Sequence, residues 1–389
     1  MSDDIVYLDY AATTPVDHRV AECMSSYLTA EGQFANPSAI HIAGRRASDI
    51  VSRATQQLSG LLKCNPSELV WTSGATESNN LAIAGAARHR ESRGRHLITM
   101  PTEHKAVTDV FRALEKQGFA VTWLQPDKSG RLRIGDFDAA LREDTQLASI
   151  MYVNNETGVI QDIEEIGAIC RERDILFHVD AAQAIGKLPC DLGALPVDLA
   201  SMTAHKVYGP KGIGALYIAD RTGCHVEPLF FGGGQQGRIR PGTLPVHLIA
   251  AFGLAAEIAI DSMQADHEHL QMLNDRLWSG VSGVSGVTRN GSQDNTFPGI
   301  LNVSVEDIEG ESLLLALEPV CVATGSACNS RRQEPSYVLR ALGLNDALAQ
   351  SAIRFSFGRE STAADIDFAA QRYRDAVTKL RRLAPGRAA

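Results

Sequence analysis

Leu199-Ala200-Ser201-Met202-Thr203-Ala204-His205-Lys206 is a short apolar run that stops at a histidine and a lysine. Further runs of the same kind are Leu69–Thr72, His96–Met100, Ala120–Leu124, Leu147–Val153, Leu176–Val179 and Ile213–Ile218. Amphipathic stretches at Glu77–Arg90, Lys105–Lys116 and Ile163–Arg173 lie between several of them. A strand with no polar alternation is buried on both faces, and alternation with helices makes the sheet mostly parallel. The spacing therefore predicts an α/β fold: a large domain over residues 16–262 built on a mostly parallel, seven-stranded sheet. Ligands of such sheets bind outside the carboxyl ends of the strands. The polar motifs sit at those ends: Thr72-Ser73-Gly74-Ala75-Thr76, Pro101-Thr102-Glu103-His104, Asn154-Asn155-Glu156-Thr157-Gly158, Asp180-Ala181-Ala182-Gln183 and Thr203-Ala204-His205-Lys206. Their convergence on one rim points to a single site.

Beyond about residue 260 the pattern changes. A helical stretch (Leu254–Trp278) leads to strand-like Ile300–Val305 and Val320–Ala323, and a helix over Ala363–Leu380 closes the chain. This predicts a small α+β domain of residues 263–389. Residues 1–15, with strand-like Ile5–Leu8, are expected to join it.

The chain has 389 residues, a net charge of -9, 44% hydrophobic and 21% charged residues, the balance of an ordinary globular protein. An acidic surface argues against broad nucleic-acid or membrane binding. No apolar run reaches the length of a membrane span, and Met1-Ser2-Asp3-Asp4 lacks the features of a signal peptide, so a cytoplasmic location is expected. The seven cysteines are scattered and include no CxxC, so neither a disulfide framework nor a metal site is expected. Cys170 and Cys321 read as buried apolar residues. Cys328 reads differently. It lies in Gly325-Ser326-Ala327-Cys328-Asn329-Ser330-Arg331-Arg332, among small and polar residues with arginines after it. That is the setting of an exposed loop whose field favours a thiolate.

Each polar residue at the rim has an ordinary reading and a chemical one. Lys206, at a strand end before a glycine turn, suits a Schiff base with an aldehyde cofactor, and Lys211 fits equally well by spacing. Asp180 can cap a helix or keep a pyridinium nitrogen protonated. Ser73–Ser78, between strand and helix, is a capping motif or an anion site. His104 is a structural histidine, or a ring that stacks and shuttles protons. Arg354 alternates with apolar residues on an expected strand, where it makes a structural ion pair or grips a carboxylate in a fork.

Taken together these motifs resemble the class V aminotransferase-like cysteine desulfurases of the IscS/NifS type. Tyr7–Pro15, Asn36-Pro37-Ser38, Thr72–Asn80, Thr102-Glu103-His104, Val153–Gly158, His178–Gln183, His205–Gly214, Gly242-Thr243, Gly325–Cys328 and Arg354-Phe355-Ser356 carry the resemblance over nearly the whole chain. It implies a homodimeric fold-type I enzyme dependent on pyridoxal 5'-phosphate. In that pattern Lys206 holds the cofactor, Asp180 its ring nitrogen, and His104 stacks on the ring. Gln183 and Asn155 contact the ring's phenolic oxygen or the substrate. Ala75, Thr76, Thr203 and His205 hold the phosphate, with Thr243 supplied by a second subunit. Arg354, with Asn155, binds the substrate carboxylate.

The implied reaction removes sulfur from L-cysteine, leaves L-alanine, and stores the sulfur as a persulfide on Cys328. An acceptor protein then takes it: an iron–sulfur scaffold or nucleic-acid thiolation machinery, with no direct nucleic-acid or membrane contact by this chain. The rival readings are a selenocysteine lyase or other enzyme on the same fold, and a non-catalytic sulfur-carrier platform. The chain departs from the housekeeping pattern at Thr203, Thr324, Pro241, Gln235-Gln236 and Asn329–Gln333.

Overall fold

The computed structural model describes residues 5–324 and 334–383. Its strands are β1 (Val6–Tyr7), β2 (Leu69–Thr72), β3 (His96–Thr99), β4 (Ala120–Trp123), β5 (Thr145–Ser149), β6 (Leu176–Asp180), β7 (Leu199–Thr203), β8 (Gly214–Ile218), β9 (Val287–Arg289), β10 (Ile300–Val305), β11 (Val320–Cys321), β12 (Ala323–Thr324) and β13 (Ile353–Ser356). The expected sheet is present. Seven strands run in the order β2-β8-β7-β6-β5-β3-β4, with β8 antiparallel to both neighbours and the other pairings parallel. Strands β2, β3, β5, β6 and β7 therefore end on the same rim. All five are buried along their length, as unbroken apolar runs require.

Helices α1 (His18–Ser25), α2 (Ile42–Leu62), α3 (Ala75–His89), α4 (Lys105–Lys116), α5 (Ile134–Ala139), α6 (Ile163–Glu172) and α7 (Val246–Val281) account for most of the covering. Helix α3 starts at the rim and packs on β7 and β8. The rim is tight there. Thr72 and Thr203 both pair with Gly214, and a Cβ on Gly214 would lie 2.6 Å from Gly74 Cα. No side chain fits at that position, so the turn before α3 rests directly on the start of β8.

Helix α7 is longer than the sequence suggests. By length and composition it is apolar enough to cross a membrane, but half of its most apolar stretch is buried within the fold. Gly253 lies against Ala54 of α2, and Gly280 lies against Ala370 of the closing helix Ala363–Leu383. The helix thus packs on both parts of the chain, and residues 262 and 263 fall inside it.

The remaining strands form a four-stranded antiparallel sheet, β12-β13-β10-β9, and a parallel pair, β1-β11. The expected strand Val320–Ala323 is in fact two. Its first half pairs with β1 and its second with β13, so the chain changes sheets within a few residues. This corrects the reading of Cys321 as well. Val320 faces the core and Cys321 faces out, because successive side chains on a strand alternate. Cys170 is fully buried, as expected, and burial pushes its thiol up.

Candidate active site

A cavity of about 1070 Å³ opens at the rim. Ala75, Thr76, His104, Asn155, Asp180, Gln183, Thr203, His205, Lys206 and Arg354 all line it. Two of the expected residues are not among these. Thr243 is exposed, on the segment leading to α7, and away from this wall. Cys328 lies outside the described residues.

One end of the cavity is built for an anion. Gly74 has φ +150° and ψ 176°, a conformation open only to glycine, and it turns the chain sharply from β2 into α3. The N–H groups of the first turn of α3 have no acceptor within the helix and carry its positive pole. Glu77 Oε2 takes the Ser73 N–H at 2.7 Å, and Arg240 donates to Glu77 Oε1 at 2.7 Å. A Cβ on Gly74 would lie 3.7 Å from Thr203 Oγ1, so that hydroxyl borders the turn. Burial, and next the Lys206 charge, push His205 down to about 4. It is therefore neutral near neutral pH, with Nδ1 3.3 Å from Thr13 Oγ1. The Gln235-Gln236 departure also has a structural account. Gln236 Oε1 accepts from Trp71 N at 2.6 Å and its Nε2 donates to Trp71 O at 2.9 Å, which pins this segment to edge strand β2.

The other end holds a carboxylate. Asp180 ends β6 and is buried. Its Oδ1 accepts from Ala182 N at 3.0 Å and its Oδ2 from Asn79 Nδ2 at 2.8 Å. It does cap the following turn, and it also faces the cavity; the two readings of this residue are compatible. His104 caps α4, with Nδ1 accepting the Ala106 N–H at 3.1 Å. That bond fixes the neutral tautomer with its proton on Nε2. Burial lowers the His104 pKa, which favours that neutral form. Behind it Glu103 is fully buried, accepts from Met151 N at 2.9 Å, and is pushed far up by burial.

Lys206 lines the same cavity, in the single turn Ala204–Lys206 after β7. Lys211 also lines the cavity but is exposed, whereas Lys206 is half-buried. Gln183 is buried, with Nε2 donating to Ala11 O at 2.8 Å and Oε1 accepting from Lys187 Nζ at 2.8 Å. On the side of the small sheet, Arg354 is buried. It donates from Nη1 to Asn155 O at 2.9 Å and from Nη2 to Asp9 Oδ1 at 2.6 Å. Arg354 Nε and Asn155 Oδ1 are buried and have no hydrogen-bond partner among the described residues. Glu156 is buried beside them, is pushed up to about 7 by burial, and accepts from Ser336 Oγ at 2.5 Å.

Asn79, Asp9 and Glu103 lie within the sequence motifs without a role assigned to them, and Lys187 lies outside those motifs. Asn79 had a usable signal, since it is a polar residue on the buried face of α3 shared with Ala82, Ile83 and Ala86. The arrangement fits pyridoxal phosphate. One cavity brings together an anion cradle, a buried carboxylate for a ring nitrogen, a lysine, and the orphaned buried atoms Arg354 Nε and Asn155 Oδ1.

The aminotransferase class-V family profile matches residues 6–368. Cysteine desulfurase IscS of Vibrio campbellii is 53% identical over 98% of this chain and 94% of its own length. The protein of that name from Serratia proteamaculans is 52% identical with the same coverage. A solved NifS-like protein is 36% identical, with TM-score 0.90 and coverage of 97% of this chain and 100% of its own. A structure described as SspA in complex with cysteine is 39% identical, with TM-score 0.81 and coverage of 92% and 99%. DndA from Streptomyces lividans is 44% identical, with TM-score 0.78 and coverage of 90% and 99%. The chain therefore belongs to the class-V aminotransferase family, as a pyridoxal-phosphate enzyme of the cysteine desulfurase group.

Proposed function

We propose that this chain moves the sulfur of L-cysteine onto Cys328 and releases L-alanine, using the cavity at the sheet rim. The observation that carries the reading is the convergence of Lys206, Asp180, His104 and Arg354 on that one cavity. Pyridoxal phosphate supplies, when bound, a sink for the electron pair left at the substrate α-carbon.

The chain's own residues do the rest. The first turn of α3 at Ala75 and Thr76, with Thr203 and His205, binds the phosphate, and Thr243 of a second copy completes that contact. Asp180, oriented by Asn79 and Ala182, holds the proton on the ring nitrogen. His104 would pack against the ring from the cavity wall, and its Nε2–H is a proton source at the site. Gln183 offers an Nε2–H to the ring's phenolic oxygen. Arg354, whose Nε–H has no partner among the described residues, binds the substrate carboxylate, and Asn155 joins it through its amide N–H. Lys206 would anchor the cofactor, and its Nζ would take the α-proton of the substrate. The Cys328 thiolate then attacks the substrate sulfur. The S–S bond forms as the C–S bond breaks, and the carbon skeleton keeps that electron pair and gains protons to become L-alanine. No external oxidant or reductant is needed.

A homodimer follows from the same reading. Thr243 is exposed in a single chain, and Phe230 and Phe231, shortly before it, are 57% and 91% exposed. A second copy covers these side chains and receives Thr243. The acceptor that takes the persulfide is a protein, an iron–sulfur scaffold or a component of nucleic-acid thiolation, and capture with persulfide transfer separates the two. Purified protein mixed with L-cysteine is expected to yield L-alanine and sulfane sulfur in equal amounts. Alanine without sulfane sulfur, or neither product, overturns the proposal.

A further inference from the structure

Lys187 follows Gln183 by four residues but does not line the main cavity. Its Nζ donates to Gln183 Oε1 at 2.8 Å and lies 5.4 Å from the centre of the Phe297 ring. It faces instead a second space of about 30 Å³, lined also by Ala11, Phe297 and Tyr208. On the other side of the amide, Gln183 Nε2 donates to Ala11 O at 2.8 Å.

This geometry settles which way the Gln183 amide faces. An ammonium can only donate and a peptide carbonyl can only accept. A reversed amide would set N–H against N–H at Lys187 and oxygen against oxygen at Ala11. Lys187 and Ala11 thus read the amide from opposite sides and permit one orientation. Nε2 carries a second hydrogen, and Gln183 lines the cavity. When Lys187 is charged, its bond to Oε1 also draws charge from the amide and makes the Gln183 N–H a stronger donor; when it is neutral, the Ala11 carbonyl, which can only accept, still fixes the same orientation. Burial, and next the Lys206 and Arg354 charges, push Lys187 down to about 7, so a lysine here is costly for the fold. Its bond to Gln183 is the specific return visible in the structure.

We propose that Lys187 is a positioning residue that locks the Gln183 amide as a hydrogen-bond donor toward the cofactor, acting through Gln183 and touching neither cofactor nor substrate. This rests on the reading of Gln183 as a cofactor contact. The test measures pyridoxal-phosphate affinity of the apo protein by equilibrium dialysis, together with the visible band of the bound cofactor. Lys187→Met, which keeps length without a donor, is expected to weaken binding about tenfold and to shift the band. Gln183→Ala is expected to do the same, and the double variant to bind no more weakly than Gln183→Ala alone. Lys187→Gln, which keeps a donor without the charge, is expected to recover part of the loss, and it carries the test should Lys187→Met fail to fold. Wild-type affinity and band in Lys187→Met, or losses that multiply in the double variant, overturn the proposal. Unchanged binding in Gln183→Ala removes the underlying contact and the proposal with it. Weakened binding in Gln183→Ala with none in Lys187→Met removes the role of Lys187 alone.

Discussion

Replacing Arg354 by alanine should cost substrate affinity, and the loss of its ion pair with Asp9 should cost stability as well. A guanidinium has five N–H donors. In this structure one goes to Asn155 O at 2.9 Å and one to Asp9 at 2.6 Å, while the buried Nε–H has no partner among the described residues. Arg354 therefore keeps its structural ion pair and still has donors for a carboxylate. Losing that charge-assisted contact should cost roughly 1.5–3 kcal/mol, or about 10- to 150-fold in affinity. Asp9 lines the same cavity, so its uncompensated charge would add repulsion in the variant. The assay is the KM for L-cysteine, paired with the affinity for L-alanine read from the visible band. Arg354→Lys keeps the charge without the planar fork and should recover only part of the loss. A KM within about threefold of wild type in a folded Arg354→Ala protein, well below the loss expected for a charged contact, would refute the assignment.

Other consequences are as direct. Lys206→Ala should bind the cofactor without the wild-type visible band and release no alanine; a wild-type spectrum would contradict the role of Lys206. Gly74→Ala forces a side chain into a glycine-only conformation at about 1–3 kcal/mol. Both the apo melting temperature and phosphate-cofactor affinity should fall, and unchanged values would count against the cradle. His178 is enclosed between Ser149 Oγ at 2.8 Å and Ser201 Oγ at 2.9 Å, and burial pushes it down to about 4. An unfolded histidine titrates near ~6.5. Between those values the unfolded chain binds a proton that the folded chain does not, so stability is lost as pH is lowered through that window and regained as it rises, by about 3 kcal/mol in full. Above the window His178 contributes no pH dependence. Urea unfolding of the apo protein should show the loss, and His178→Asn should flatten it; an unaltered slope would exclude His178 as its source.

The large sheet was legible because its strands are buried on both faces and read as continuous apolar runs, each with its chemistry at one end. The small sheet was less so. Val287–Arg289 is too short and too exposed to show a pattern, and Val320–Thr324 divides between two sheets with no glycine or proline to mark the change. Within the site, residues at strand ends were readable from position. Their supports were not. Asn79 meets Asp180, Asp9 meets Arg354, and Lys187 earns its place only through an amide whose other partner is Ala11. The Asn79–Asp180, Asp9–Arg354 and Gln183–Ala11 contacts join segments remote in sequence, which local periodicity does not encode, and the Lys187–Gln183 contact gains its meaning only from the last of them. Cys321 was misjudged for a related reason. Which face of a two-residue strand is buried depends on its partner, and β11 pairs with the chain's first strand.

The most direct test of the account is to treat the holoenzyme with one equivalent of L-cysteine, without reductant, and map the added sulfur by peptide mass spectrometry. The account predicts one extra sulfur atom on Cys328, placed by fragmentation because Cys321 shares its tryptic peptide, none on the other six cysteines, and none anywhere in Cys328→Ala. Sulfur on a different cysteine, or an undiminished yield in Cys328→Ala, would contradict it.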